Sequence, residues 1–136
     1  MKTIVLAYDD SAEAGRAVRR VAELAKALEA GVVVTSVTPL LHSVGRGIGP
    51  YDPADPPPRH EALARNAASL LAEQGVRTTT VTPLGDPGDA IVKVADAHSA
   101  DLIVLGMTHH PQLARILGSV SDDVAHHAHC DVLLVH

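Results

Sequence analysis

The sequence predicts an α/β fold in which five parallel strands alternate with four helices. Short apolar runs rich in Val, Ile and Leu recur along the chain, and amphipathic stretches separate them. Runs that are apolar at nearly every position are typical of strands covered on both faces, so we expect helices on both sides of one doubly wound sheet. The 136 residues suffice for a single domain, 1–136, and are too few for two ordinary ones.

The first strand is predicted at Thr3–Tyr8, an apolar run that an acidic pair ends. The helix after it carries an apolar stripe at helical spacing as far as Leu28, and its charged residues mostly avoid that stripe. Asp10 and Glu13 form the predicted capping pair at its start, and Gly31 is the predicted stop.

The middle of the chain predicts a second strand at Val32–Val37 and a second helix at Glu61–Gln74 that ends at Gly75. One side of that helix carries Leu63, Ala67, Leu70 and Leu71. Between this strand and this helix, residues 42–59 hold three glycines and five prolines, which exclude a long helix or strand. Two interpretations stay open: a surface loop, or a lid over a ligand site, in which Arg46 would favour an anion.

The later elements begin with a strand at Val76–Thr82, whose threonines predict a place near the sheet edge. Asp86 and Pro87 predict the N-cap and first turn of a third helix, and Leu102–Leu105 is a predicted buried strand. The last helix and strand are predicted from two further segments, Ser119 with Asp122 as a capping box and the apolar run Val132–Val135.

Composition excludes several classes of function. The chain is 46% hydrophobic, has two Tyr and no Phe or Trp, and carries a formal charge of -5. Nucleic-acid binding needs a basic footprint or aromatic platforms, so we expect no nucleic-acid partner. The single cysteine cannot form an internal disulfide, and the apolar N-terminal run is too short for a signal peptide or a membrane span. We therefore expect a cytoplasmic protein with no membrane partner.

A group of residues near the end of the chain has the side chains of a metal site, namely His126, His127, His129 and Cys130. Neighbours on a helix point about 100° apart, so the three histidines cannot converge on one ion. Only His126 and Cys130 have the i, i+4 spacing of a two-ligand face. We therefore expect no metal site here, and we interpret Cys130 as a buried small hydrophobe.

Ligands of open parallel sheets bind beyond the carboxyl ends of the strands, where the winding direction reverses. Two such ends carry unusual residues here, Ala7–Ser11 after the first strand and Gly106–Ser119 after the fourth. At the start of the last helix, backbone N–H groups would bind an anion, and Gly118 would let a phosphate approach the backbone. The alternative is that Gly118 and Ser119 form only a turn and an N-cap.

Three segments resemble signatures of the universal stress protein family, in the right order and over nearly the whole chain. Ile4–Ser11 (IVLAYDDS) resembles the family's opening, in which an aspartate ends the first strand. Ala100–Gly106 (ADLIVLG) resembles its ADLIVMG signature, and Ala128–Val135 (AHCDVLLV) resembles its closing APCPVLVV.

The resemblance implies strand order 3-2-1-4-5, with a site for an adenine nucleotide where the order reverses between strands one and four. The adenosine would lie near Asp9, within a base pocket of Ala7, Tyr8 and Val37. The ribose and phosphates would be held by Leu105, Gly106, Gly118, Ser119 and Val120. ATP is the implied ligand. Mg²⁺ could bind Asp9 and Asp10 through water, although adjacent acids more often end a strand and cap a helix.

The phosphate loop departs from the family's pattern, which is Gly, two residues, Gly, nine residues, then Gly with Ser or Thr. Gly106 and Gly118 with Ser119 match it. His109 replaces the second glycine, and only eight residues, His110–Leu117, separate it from Gly118. An imidazole at this position would either block a triphosphate or itself donate to a phosphate, and both interpretations stay open.

The resemblance implies a stress-response protein whose interactions depend on a bound nucleotide. The alternative is a dimeric protein–protein interaction module that keeps the fold and has lost the pocket. No nucleophile with a base and an acid at recognisable spacing is present, so we expect no enzymatic activity beyond slow, incidental ATP hydrolysis. The apolar run Val132–Val135 is expected at a sheet edge, where the family forms a two-fold homodimer.

Overall fold

A computed structural model describes residues 2–41, 49–107 and 119–136 of the chain. Its strands are β1 (Thr3–Ala7), β2 (Gly31–Thr35), β3 (Thr38–Pro39), β4 (Thr78–Val81), β5 (Leu84–Gly85), β6 (Leu102–Gly106) and β7 (Asp131–Val135). Its helices are α1 (Ala12–Leu28), α2 (Pro57–Glu73), α3 (Pro87–Ala97) and α4 (Val120–His127).

Five of the strands form one parallel sheet in the order β4-β2-β1-β6-β7. Counted among these five strands, that is the predicted order 3-2-1-4-5, so the α/β fold is confirmed. Ala7 at the end of β1 pairs with Thr35 of β2 on one side and with Leu105 of β6 on the other. The order reverses between β1 and β6, which places the expected ligand edge at these three strand ends.

A second, two-stranded sheet was not predicted from the sequence. It pairs β3 with β5, at Thr38 with Leu84 and Pro39 with Gly85. Each strand has only two residues, too few for an apolar pattern to show. The predicted strand at Val32–Val37 therefore ends early, at Thr35, and the chain turns into β3.

Alternation along the strands sends side chains to apolar layers on the two faces of the sheet. Ile4 and Leu6 of β1 pack in the layer that α1 and α2 cover, whereas Val5 packs in the layer that α3 and α4 cover. All three residues are 0% exposed. The expectation of helices on both faces is confirmed, and the core is aliphatic, as a chain without Phe or Trp requires.

Both ends of α1 differ from the prediction. Ser11, not Asp10 with Glu13, caps its start, because the Ser11 Oγ accepts from the N–H of Ala14 at 3.1 Å. At the other end Glu29 takes the left-handed conformation, with φ 52°, so the helix stops without a glycine. Gly31 is instead the first residue of β2.

Helix α2 begins four residues earlier than predicted, at Pro57 rather than Glu61. Proline lacks an N–H but is tolerated in the first turn of a helix, where that group has no intrahelical partner. The buried face consists of His60, Ala64, Ala67 and Leu71. The prediction that Leu70 lies on the apolar side is wrong, because Leu70 lies about 100° around the helix from Leu71 and is 48% exposed.

The later elements agree with prediction in their caps and positions. The Asp86 side chain accepts from the N–H of Asp89 at 3.3 Å at the start of α3, and Ser119 Oγ accepts from the N–H of Asp122 at 3.1 Å at the start of α4. Threonine-rich β4 and apolar β7 lie at the two edges of the sheet. None of the described helices combines the length and the apolar character that crossing a membrane requires.

Asp101 ties the start of β6 to the start of β1. Its Oδ2 accepts from the backbone N–H groups of Lys2 at 2.8 Å and Thr3 at 3.1 Å, and these bonds hold the pKa of Asp101 below its usual range. A carboxyl with a lowered folded-state pKa stabilises the fold above its unfolded pKa, and that stabilisation is lost as the pH falls through the folded value.

We therefore expect Asp101→Asn to lower the free energy of unfolding at pH 7, with the loss shrinking as the pH falls below about 4. Urea unfolding at pH 7 and pH 3 measures the difference. Glu61→Gln, which neutralises an exposed acid, is the control and should change little at either pH. A deficit in Asp101→Asn that stays constant from pH 7 to pH 3 would contradict this account.

Candidate functional site

A cleft of about 240 Å³ opens at the carboxyl ends of β2, β1 and β6. Seven of the ten predicted binding residues line it, namely Ala7, Tyr8, Asp9, Val37, Leu105, Gly106 and Val120. Ser119 lies beside it as the N-cap of α4. His109 and Gly118 lie outside the described residues, as does Arg46. The structure thus brings together the predicted residues that it describes.

Apolar side chains form most of the cleft wall. Val37 follows β2, Leu105 belongs to β6, and Ile91 reaches the cleft from α3. Each is at most 8% exposed, so these side chains are held by the core that lies beneath them. Such a surface suits the face of a flat, weakly polar ring.

The hydroxyl of Thr35 is a polar exception on this wall. Thr35 is 0% exposed and its Oγ1 has no hydrogen-bond partner among the described residues. A buried hydroxyl without a partner costs free energy, and such groups are rare in folded proteins. Thr35 lines the cleft.

The acidic pair after β1 organises the backbone around the cleft. Asp9 Oδ1 accepts from the N–H of Ser11 at 2.9 Å, just before α1. Asp10 Oδ2 accepts from Arg59 Nη2 at 3.0 Å. The pair follows the end of β1 as predicted, whereas neither acid caps α1, whose N-cap is Ser11. Across the described ranges, no three His, Cys, Asp or Glu side chains are grouped as metal ligands.

Gly106 lines the cleft, but packing already requires a glycine there. A Cβ at this position would lie 2.7 Å from the backbone N of Ala14 and 2.7 Å from the backbone carbon of Glu13. Real Cβ contacts are not that short, so the first turn of α1 and the end of β6 approach each other only because residue 106 has no side chain. The glycine therefore positions the cleft wall whether or not a ligand binds.

The start of α4 forms one end of the cleft. Ser119 Oγ is occupied as the N-cap and lies 3.0 Å from Ser121 Oγ, so the predicted N-cap is confirmed. The first N–H groups of a helix have no partner within it and carry the positive end of the helix dipole. Val120, the first residue of α4, lines the cleft. The acids Asp122 and Asp123 in the same turn offset part of that positive potential.

The start of α2 contributes a polar wall that the sequence analysis missed, consisting of Asp55, which precedes the helix, and of Arg59 and His60 in its first turns. His60 is 5% exposed, and its Nε2 donates to Asp55 Oδ1 at 2.7 Å. The same oxygen accepts from Arg59 Nη1 at 2.7 Å. An Asp followed four and five residues later by Arg and His, across prolines that begin a helix, was the signal that could have identified this wall.

Ser36, His60 and Asp55 form a hydrogen-bonded chain with the residue types of a hydrolase triad. Ser36 Oγ lies 2.7 Å from His60 Nδ1, the other side of the ring from Asp55. However, Ser36 is 3% exposed and does not line the cleft, so its hydroxyl is not presented to a substrate. These hydrogen bonds hold the start of α2 against the segment after β2.

The histidines in and just after the last turn of α4 bond to separate partners. His126 Nδ1 donates to the carbonyl of Asp122 and His127 Nδ1 to that of Asp123, each at 2.8 Å, while His129 Nδ1 lies 3.1 Å from the Asp96 carboxylate.

Cys130 is half-buried rather than buried as predicted, and it packs against the layer that α3 and α4 cover. Burial, followed by the negative charge of Asp131, raises the pKa of the Cys130 thiol. A raised pKa disfavours the nucleophilic thiolate at neutral pH.

Comparisons with known proteins agree with this geometry. The model of the universal stress protein family matches residues 1–136. A universal stress protein of Mycobacterium tuberculosis (strain H37Rv) is 34% identical over 142 residues, which cover 99% of this chain and 96% of the relative. One of Methanocaldococcus jannaschii is 31% identical over 138 residues, covering 98% of this chain and 81% of the relative.

Solved structures show the same similarity. A universal stress protein in complex with cAMP has a TM-score of 0.76 at 27% identity, over 99% of this chain and 97% of that one. The universal stress protein from Archaeoglobus fulgidus in complex with dAMP has a TM-score of 0.77 at 27% identity, over 100% of this chain and 98% of that one. With a family match along its full length, the chain belongs to the universal stress protein family.

Proposed function

We propose that the protein binds an adenine nucleotide in the cleft at the ends of β2, β1 and β6, and that the bound nucleotide controls its interactions in a stress response. The observation that carries the proposal is the convergence of seven predicted binding residues on one cleft where the strand order reverses. The related structures solved with cAMP and dAMP support an adenine nucleotide as the ligand class.

The two ends of the cleft suit the two ends of a nucleotide. Val37 and Ile91 offer an apolar surface to a base, and the start of α4 offers backbone N–H groups to a phosphate. The segment 107–118, which joins β6 to α4, contains His109, His110 and Arg115 and no acidic residue. That excess of basic side chains favours a polyphosphate, so ATP remains the nucleotide that we expect to bind most tightly.

We propose binding rather than turnover as the function of this site. The Ser36 hydroxyl is buried outside the cleft, and Cys130 lies after α4 rather than on the cleft wall. Hydrolysis of ATP, if measured, should be slow and incidental. The competing proposal, an interaction module that has lost its pocket, is favoured by the replacement of a loop glycine by His109 and by the loop of only eight residues between His109 and Gly118.

Mass spectrometry distinguishes the two proposals. The purified protein is denatured and the released small molecules are identified. Release of an adenine nucleotide in near-stoichiometric amount would support nucleotide binding. If no nucleotide is released and calorimetric titration with ATP also gives no heat of binding, the interaction module is the better account.

We further propose a homodimer through β7. This strand lies at the sheet edge, and Val132–Val135 are only half-buried in one chain. An apolar edge strand invites pairing with another strand, and a two-fold axis makes antiparallel pairing of two copies self-complementary.

Leu133→Lys should shift this dimer towards monomer. Leu133 lines a groove together with three arginines and one acid of α1, so a lysine adds to an excess of positive charge on each copy; these residues are Arg16, Arg19, Arg20 and Glu23. Light scattering at micromolar concentration measures the mass. Leu70→Lys, on the exposed face of α2, is the control, and this variant should remain dimeric. A monomeric wild type, or a fully dimeric Leu133→Lys, would contradict the interface.

A further inference from the structure

The polar wall of the cleft lies at the end opposite to the start of α4. Asp55, Arg59 and His60 line the cleft together with Val37 and Pro39, which follow β2. The start of α4 follows β6 in the chain, and β1 lies between β2 and β6 in the sheet. The cleft therefore extends across two strand spacings, about 10 Å.

This order determines how a nucleotide would lie, if the proposed function holds. The phosphate binds at the start of α4, because the backbone N–H groups and helix dipole are there. The ribose then lies over the end of β1, beside Asp9. The base reaches the end of β2, where its edge meets the polar wall of α2.

Asp55 is the hydrogen-bond acceptor on this wall. Arg59 Nη1 and His60 Nε2 both bond to its Oδ1, each at 2.7 Å. Among the described residues, no hydrogen bond reaches the other oxygen, Oδ2. The side chain is 33% exposed and lines the cleft. Two donors thus hold the carboxylate in place through one oxygen and leave the second as an acceptor for a ligand.

We propose that Asp55 is a specificity-determining residue, whose Oδ2 accepts a hydrogen bond from the amino group on C6 of the purine. The cleft would thereby select 6-aminopurine nucleotides, such as those of adenine, over 6-oxopurine nucleotides. A 6-oxopurine places a carbonyl oxygen where the amino group was, so two acceptors face each other and neither is satisfied. Sites built on such a hydrogen bond reject analogues that lack the donor far more strongly than apolar sites do.

The test compares ATP with ITP, which carries the 6-oxopurine hypoxanthine, by calorimetric titration. Wild type should bind ATP about 100-fold or more tightly than ITP. Asp55→Asn should reduce that ratio to less than about tenfold, because its amide N–H can donate to the carbonyl of ITP while its oxygen still accepts from Arg59 and His60. Asp52→Asn is the matched control: Asp52 bonds to the N–H of Ala54 at 2.9 Å and does not line the cleft, so the ratio should not change.

The outcomes separate this inference from the function on which it rests. If wild type binds ATP and ITP equally, base selection by Asp55 is overturned, whatever the variant does. A variant that loses affinity for both nucleotides equally and keeps their ratio would also overturn it, and would place Asp55 near the ribose. If wild type binds neither nucleotide, the proposed function itself fails.

Discussion

Gly106→Ala should destabilise the fold by about 3 kcal/mol or more, at the upper end of what overpacking costs. The added Cβ would lie 2.7 Å from backbone atoms of Glu13 and Ala14. Backbone cannot move aside as a flexible side chain can, so α1 must shift away from β6. The same shift would disturb the N-cap, since the N–H of Ala14 donates to Ser11. Urea unfolding in the absence of nucleotide measures the loss.

Gly15→Ala is the matched control for this prediction. Gly15 lies in α1, the helix that a side chain at residue 106 would displace, and a Cβ at residue 15 would itself meet nothing within 4 Å. Alanine in a helix interior should stabilise the protein by about 0.5–1 kcal/mol. If Gly106→Ala instead loses less than about 1 kcal/mol while nucleotide binding disappears, the glycine serves the ligand and not the packing, contrary to our account.

Val120→Glu should weaken ATP binding at least tenfold, which is about 1.4 kcal/mol, without lowering the stability of the fold. Val120 is 37% exposed, lines the cleft and is the first residue of α4. A carboxylate there repels a phosphate and competes for the same N–H groups. The same charge interacts favourably with the helix dipole, so the loss of binding cannot be attributed to unfolding.

Val120→Gln separates charge from size. It has nearly the shape of the glutamate variant and no charge, so most of the ATP affinity should remain. Calorimetry gives the affinities and thermal unfolding gives the stabilities of both variants. Equal affinity for ATP in Val120→Glu and wild type would place the phosphates away from the start of α4.

Most strands could be predicted from the sequence because burial leaves a strong apolar signal. The apolar runs at β1, β2, β6 and β7 each gave a strand, and the family resemblance gave their order. Element ends were less accurate. Glu29 adopts a left-handed conformation that sequence rules assign to glycine, and α2 begins at Pro57 within a segment whose prolines suggested a loop.

The candidate site was predicted in part. Residues adjacent to strand ends, such as Asp9, Val37 and Leu105, could be located because the topology brings strand ends together. The wall formed by Asp55, Arg59 and His60 was missed. The spacing of these residues was a local signal for their contacts with one another, but their place at the cleft depends on the long-range contacts of His60 with Ser36 and of Arg59 with Asp10, which no local pattern encodes.

The most direct test of the central claim is an NMR titration of the ¹⁵N-labelled, nucleotide-free protein with ATP. The account predicts saturable shifts at the amides of Asp9, Val37, Leu105 and Val120, which line one cleft, and none at Leu84 of β5, which lies off it. A titration without shifts, or with shifts concentrated on the arginines of α1 beside β7, would show that the nucleotide does not bind where the strand order reverses.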